Sequence, residues 1–211
     1  MNDLEQLARY VIDGQTDPAR KLTQKMLDDG NEPQAILDEA LTPAMDRVGE
    51  LYERQEYFLP EMMASAQSMQ AAMTLLRPLL SAGGSKPAAT AILGTVKGDL
   101  HDIGKNVVGM MLEGAGIAVV DLGPDVAPES FRDAVKEHKP DLVGMSALLT
   151  TTQPMMQTTI EVLEEAGVRD QVKVIIGGPP TSLSYAEQIG ADGYAPDASQ
   201  AVRKVRSLLG I

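Results

Sequence analysis

The chain has 211 residues, 44% of them hydrophobic, enough for one large or two small cores. Thirty acidic side chains against eighteen basic ones leave a net charge of −12, which repels nucleic acid and anionic membrane surfaces and argues against either as a partner. Cysteine is absent, which excludes disulfides and thiolate metal sites; with no segment of spanning length and an acidic start, Met1-Asn2-Asp3-Leu4-Glu5, the expected location is the cytoplasm.

Residues 1–80 read as a helical domain. Leu4, Leu7, Ala8, Val11 and Ile12 form the first apolar stripe, which Gly14 stops. Pro18 opens a second helix with Ala19, Leu22, Met26 and Leu27 on its inner face, ending at Asp29-Gly30-Asn31. A third starts near Glu32-Pro33 and runs through Ile36, Leu37, Ala40, Leu41, Met45 and Val48, with a kink expected at Pro43. The fourth and longest begins at Leu59-Pro60, and its face of Leu59, Met62, Met63, Ala66, Met69, Met73 and Leu76 keeps an i, i+3, i+4, i+7 rhythm. A methionine stripe of this kind is more often adaptable core packing than a ligand box. Together the four segments predict a small helical bundle.

Ser81-Ala82-Gly83-Gly84-Ser85-Lys86-Pro87-Ala88 breaks the periodicity and reads as a linker, residues 81–88. From residue 89 to residue 211, short β-rich runs alternate with helical ones: 90–96, 117–122, 142–146, 172–176 and a weak fifth at 193–195. This βαβ series predicts a doubly wound, flavodoxin/Rossmann-like five-stranded parallel sheet, in which the order 2-1-3-4-5 would set strands one and three side by side with the switch-point crevice at their carboxyl ends.

The loop after the first strand, Gly98-Asp99-Leu100-His101-Asp102-Ile103-Gly104, leads into a helix and holds one of only two histidines in the chain. A neutral imidazole ligates transition metals, and its second ring nitrogen usually gives its proton to a carboxylate, a part open to Asp99. Gly104 would let a bulky ligand approach the backbone. One histidine is only one ligand, so a metal here would come with a cofactor that brings its own ring. The same heptapeptide also reads as an ordinary loop, with Asp99 or Asp102 as N-cap of the next helix. Ser146, with Leu148 and Leu149 beyond it, either lines a buried slot or closes the strand as a turn residue, and Thr152 is equally an N-cap. Gly177-Gly178 permits a close backbone approach or simply a flexible loop. His138, before Lys139-Pro140, ends a helix.

Asp99-x-His101-x-x-Gly104, Ser146-x-Leu148 and Gly177-Gly178, in that order and spacing, resemble the three signatures of cobalamin-binding domains that hold the cofactor with its benzimidazole tail displaced. The wider text from Gly98 to Val108 resembles the corrinoid proteins of methyltransferase systems and the cobalamin module of methionine synthase. The resemblance covers nearly the whole chain and implies cobalamin as cofactor, as methylcobalamin, cob(I)alamin or a related corrinoid, with cobalt bound by His101. It implies cofactor contacts from Asp99, Asp102, Ile103, Gly104, Ser146, Leu148, Thr150, Gly177 and Gly178. It also implies a His101-Asp99-Thr152 relay below the cobalt, Thr152 standing where methionine synthase has a serine. Tyr57-Phe58-Leu59-Pro60-Glu61-Met62 resembles the segment that caps the upper corrin face, with Phe58 and Met62 as contacts. Where the family often has Gly-Gly-Ala, this chain has Gly177-Gly178-Pro179-Pro180.

What the resemblance implies is a methyl carrier, the corrinoid subunit of a multi-component system and not a complete enzyme alone. Its partners would be a donor-specific methyltransferase, an acceptor methyltransferase serving tetrahydrofolate or a thiol, and a reductive activator. The donor would be methanol, a methylamine, a betaine or a methoxylated aromatic. The alternative is a cobalamin-dependent sensor, which would need an effector region. A phosphoryl-accepting receiver would end strand three with Asp where Ser146 stands, and a flavin phosphate would be repelled by Asp99 and Asp102.

Overall fold

The computed structural model describes residues 2–83 and 87–211, and the chain divides into two compact units, Met1–Pro87 with Met110–Gly116 and Ala88–Gly109 with Ile117–Ile211. In the first unit, α1 (Asp3–Ile12) is closed by a reciprocal capping box. Glu5 N–H donates to Asn2 Oδ1 at 2.8 Å, and Asn2 N–H donates to Glu5 Oε2 at 3.1 Å. α2 (Thr16–Asp28) starts ahead of Pro18, which sits in its first turn, where a missing N–H is harmless.

The predicted third helix is three pieces: α3 (Pro33–Ile36), a π-helical turn over Leu37–Leu41, and α4 (Thr42–Glu53). The irregularity expected at Pro43 thus falls just before it. Pro43 has no N–H to offer the carbonyl four residues back and its ring crowds that carbonyl, so the preceding turn widens, with Thr42 N–H donating to Leu37 O. α5 (Leu59–Ala82) begins at the predicted Leu59, carries Pro78 inside and runs into the segment read as linker, of which residues 84–86 lie outside the described residues. Met62, Met69, Met73 and Leu76 are buried on its inner face. Ser65 Oγ and Tyr57 OH both donate to Ile12 O, at 2.7 and 3.1 Å, and tie the last turn of α1 to α5 and its approach.

From residue 89 onward the elements alternate as β1 (Ala89–Thr95), α6 (Ile103–Gly114), β2 (Ile117–Asp121), α7 (Pro128–His138), β3 (Leu142–Ser146), α8 (Pro154–Glu165), β4 (Lys173–Gly177), α9 (Leu183–Gln188), β5 (Gly193–Ala195) and α10 (Ala198–Leu209), with the last turns of α6 counted in the first unit. The strands pair in parallel in the order β2-β1-β3-β4-β5, the flavodoxin-like order. Ile92, Val143, Met145, Val174 and Ile176 from the strands pack with Phe131, Val135, Met156, Ile160 and Leu163 from α7 and α8. The register sets Thr95 beside Ser146, Ser146 beside Gly177 and Gly177 beside Ala195, so four strands end in one row. Their loops leave from one edge, and β1 and β3 flank the switch-point crevice. Near the start of β4, Asp192 accepts from Val174 N–H at 2.8 Å and Arg169 Nη2 at 2.7 Å, and Lys173 Nζ lies 3.4 Å away. Burial pushes the Asp192 carboxyl up, but those donors outweigh it and hold it below the usual carboxylate range.

Candidate functional site

The loop from β1 to α6 starts with a tight turn in which Asp99 N–H donates to Val96 O at 3.1 Å. Gly98 takes a φ of +84°, in the left-handed region that the third residue of such a turn requires. The turn drives the Asp99 carboxylate inward to 0% exposure, where every donor facing it is a group of this site. Its Oδ1 accepts from His101 N–H at 3.0 Å and lies 2.8 Å from His101 Nδ1. Its Oδ2 accepts from Thr152 Oγ1 at 2.7 Å, Leu148 N–H at 2.8 Å and Leu149 N–H at 3.3 Å.

Burial by itself would raise the Asp99 carboxyl; the bonds from Thr152, from the His101 and Leu148 amides and from the His101 ring overcome it and hold the group well below the usual carboxylate range. An ionised carboxylate only accepts, so the neutral imidazole carries its proton on Nδ1 and leaves the Nε2 lone pair for a ligand. Asp99 and Thr152 therefore serve the imidazole and the 148–152 loop rather than capping helices. Thr152 Oγ1 also lies 3.0 Å from Leu149 O, which shares its proton.

The His101 side chain is 53% exposed, so the Asp99 bond rather than packing holds it. Around it in sequence and across the edge stand apolar side chains without cover: Leu100 at 72% exposure, Ile103 at 62%, Leu148 and Leu149 at about 40%. Thr150 is exposed in the same loop. Gly104, in the first turn of α6, has open space where a Cβ would stand. Asp102 accepts from Asn106 Nδ2 at 3.1 Å, and the buried Lys105 pairs with Asn106 and with Asp121 at the end of β2.

Under this loop, Thr95 Oγ1 is 2.9 Å from Ser146 Oγ and donates to His101 O at 3.3 Å, which couples the ends of β1 and β3 to the histidine backbone. At the end of β4, Gly178 has a φ of +112°, and a Cβ there would stand 2.0 Å from Ala147 O. Only glycine allows the loops after β3 and β4 to touch so closely. The Pro179-Pro180 segment is held by neighbours: Thr181 Oγ1 donates to Gly178 O at 2.6 Å and Gln153 Nε2 to Pro180 O at 2.7 Å. Tyr185 OH in turn donates to Gln153 O at 3.0 Å.

Asp99, His101, Thr152, Ser146, Leu148 and Gly178 are thus one connected arrangement through these bonds and the β3–β4 contact. Gln153 belongs to a segment, Gln153-Pro154-Met155, that resembles the family only loosely, and Thr95 and Asp125, the latter described below, are not among the candidates legible in the sequence. The register of β1 on β3 points to Thr95, whereas no local pattern marks Asp125. Phe58 and Met62 belong to the helical unit. Phe58 is 62% exposed, its N–H donating to Glu61 Oε2 at 3.0 Å, while Met62 is 1% exposed in that unit's core.

Among the described residues no group of three or more His, Cys, Asp or Glu side chains could hold a metal ion. The donor set of one carboxylate-oriented imidazole beneath an uncovered apolar rim fits a metal that arrives inside a large, flat organic ring, and it does not fit a bare ion. The fold and this loop define a doubly wound cobalamin-binding domain preceded by a helical bundle.

Two family models described as a B12 binding domain match residues 89–203 and residues 3–77, and the chain belongs to this family of B12-binding corrinoid proteins, with cobalamin as its cofactor. It is 42% identical over 207 residues to dimethylamine corrinoid protein 1 of Methanosarcina acetivorans, covering 98% of this chain and 97% of that one. A cobalamin-binding protein from Desulfitobacterium hafniense superposes with a TM-score of 0.79 at 33% identity, over 98% of each chain. A chain of the methanol:cobalamin methyltransferase complex from Methanosarcina barkeri gives 0.87 at 29% identity, over 99% of this chain and 80% of that one. No helix among the described residues is long and apolar enough to cross a membrane.

Proposed function

We propose that this protein carries methyl groups from a donor-specific methyltransferase to an acceptor methyltransferase. The observation that carries the reading is the imidazole of His101, oriented by a buried, fully bonded Asp99 and presented at the edge of an exposed apolar rim. The names of the relatives, a dimethylamine corrinoid protein and a methanol:cobalamin methyltransferase complex, support methylamines or methanol as the donor class. Tetrahydrofolate or a thiol as final acceptor, and a reductive activator, complete the proposed system. The cysteine-free composition supports a cytoplasmic location.

When bound, the corrinoid supplies the cobalt that takes and gives up the methyl group. His101 would hold that cobalt through Nε2. Asp99 Oδ1 keeps the proton on Nδ1 and so strengthens Nε2 as a donor, and Thr152 Oγ1 supplies a second hydrogen bond that holds the carboxylate in place. Ser146, Leu148, Thr150, Gly177 and Gly178 would line the slot for the displaced tail. Asp102, Ile103 and Gly104 would meet the ring where α6 begins. On the helical unit the exposed Phe58 would contact the corrinoid, and Met62, buried in that unit's core, would do so only after a rearrangement.

Electron paramagnetic resonance of the Co(II) form tests the ligand assignment. His101→Ala should still bind cobalamin through its slot and lose the nitrogen superhyperfine splitting; an unchanged splitting removes His101 from the role.

A further inference from the structure

The His101 imidazole is exposed on one side and depends on Asp99 for its direction, so whatever fixes the Asp99 backbone also fixes the ligand. That backbone follows Gly98, the residue most free to change conformation. Asp125, in the loop between β2 and α7, brackets it from both sides. The Asp125 carboxylate accepts the Gly98 N–H through Oδ1 at 2.7 Å, and the Asp125 N–H donates to Asp99 O at 2.9 Å. Lys97 Nζ donates to the other carboxylate oxygen at 3.1 Å. To make both backbone contacts Asp125 adopts a φ of +54°, a left-handed conformation that Asp tolerates better than most residues but still strains to hold. The loop itself is anchored beneath it, Val126 N–H donating to Thr95 O at 2.9 Å and Thr95 N–H to Gly123 O at 3.0 Å.

We infer that Asp125 is a positioning residue for the cobalt ligand: by pinning the Gly98 amide and the Asp99 carbonyl it sets where His101 Nε2 points. This rests on the reading of His101 as the lower ligand. The ion pair with Lys97 is solvent-exposed and contributes little. The Gly98 acceptor is the part that matters, since without it the turn ahead of Asp99 loses its only side-chain clamp among the bonds described above.

Two substitutions separate the contributions. Asp125→Gly keeps the left-handed backbone without strain and removes the carboxylate. Asp125→Asn keeps a side-chain acceptor in a residue that also tolerates that backbone, and removes the charge. In the cofactor-free protein, hydrogen exchange over residues 97–101 should accelerate in Asp125→Gly and stay near the parent rate in Asp125→Asn, with the thermal midpoint of both within a few degrees of the parent. Titration with hydroxocobalamin should show affinity falling about tenfold in Asp125→Gly, the lower end of what is lost when a partner of a metal ligand is removed, with part of the Co(II) nitrogen splitting lost. Asp125→Asn should restore most of both.

Parent affinity and full splitting in Asp125→Gly would overturn the proposal, as would an Asp125→Asn protein that falls as far as Asp125→Gly while remaining folded. His101→Ala run alongside keeps the two readings apart. Splitting that survives in His101→Ala refutes the ligand assignment itself. Splitting lost in His101→Ala but intact in Asp125→Gly refutes only the role of Asp125.

Discussion

Gly104 offers a substitution whose effects on folding and on binding run in opposite directions. It lies in the first turn of α6, and a Cβ built there meets nothing within 4 Å. Gly104→Ala therefore clashes with no part of the chain, and it removes the conformational freedom that makes glycine poor in helices. The gain is up to about 1 kcal/mol, or roughly 2–4 °C in the melting midpoint for a chain of this size. If a corrin ring comes down on this backbone, the added methyl is an overpacked group in the holo-protein, at a cost of about 1–3 kcal/mol. That corresponds to roughly 5- to 150-fold weaker binding. The assay pairs a thermal melt of the cofactor-free protein with a titration by hydroxocobalamin followed in the visible spectrum. Parent affinity in a stabilised Gly104→Ala protein would mean that nothing large approaches that turn and that the ring does not pack on it. The contrast is Gly178, where the Cβ would stand 2.0 Å from Ala147 O at a φ of +112°. Gly178→Ala should lower stability itself, by about 3 kcal/mol or more in urea unfolding, and a parent midpoint would mean that the β3 and β4 loops separate freely.

Ser146→Leu should weaken cobalamin binding far more than Ser146→Ala, which leaves Thr95 its bond to His101 O; equal affinities would show that no tail passes Ser146. Asp192 controls an acid-sensitive part of the stability. Its folded-state carboxyl titrates below its ordinary value, so the stabilisation is fully present above the ordinary carboxylate range and is lost as pH falls through the lower, folded value. Asp192→Asn should thus cost about 1–2 kcal/mol between pH 5 and 7, with the gap to the parent closing below about pH 4. A gap independent of pH would mean that packing, not the charge facing Arg169 and Val174, is what the residue contributes.

The alternation of apolar runs marks β1 to β5, and the flavodoxin-like order sets the loops of His101 and Ser146 at one end of the sheet. Helical periodicity likewise carried the bundle, including the start of α5 at Leu59. The rest depended on what the fold brings near. The π turn ahead of Pro43 is a local answer to a proline that the apolar period does not register, and Pro78 is absorbed inside α5. At the site, Asp99 and His101 are two residues apart and their pairing is legible as a spacing. Thr152, Leu148 and Leu149 reach the same carboxylate only because β3 lies beside β1. Thr95, Asp125 and Gln153 act through backbone groups of other loops, and a side chain that bonds a distant amide or carbonyl leaves no periodicity behind.

As a methyl carrier, this chain would rely on another protein to load it. Among the described residues the site presents one oriented imidazole and a buried carboxylate already bonded to it and to Thr152, so protonation of a leaving amine or hydroxide, a service that positioned acids commonly make worth roughly 10²–10⁴ in rate, would fall to the partner methyltransferase. The direct measurement is to load the protein with cobalamin, reduce it, supply dimethylamine or methanol with an isotopically labelled methyl, and count label retained on the protein after desalting, with and without a methyltransferase specific for that donor. Label should accumulate quickly only when the methyltransferase is present. Rapid labelling of the protein alone, or no labelling in the presence of a methyltransferase for any methylamine or methanol, would contradict the carrier role.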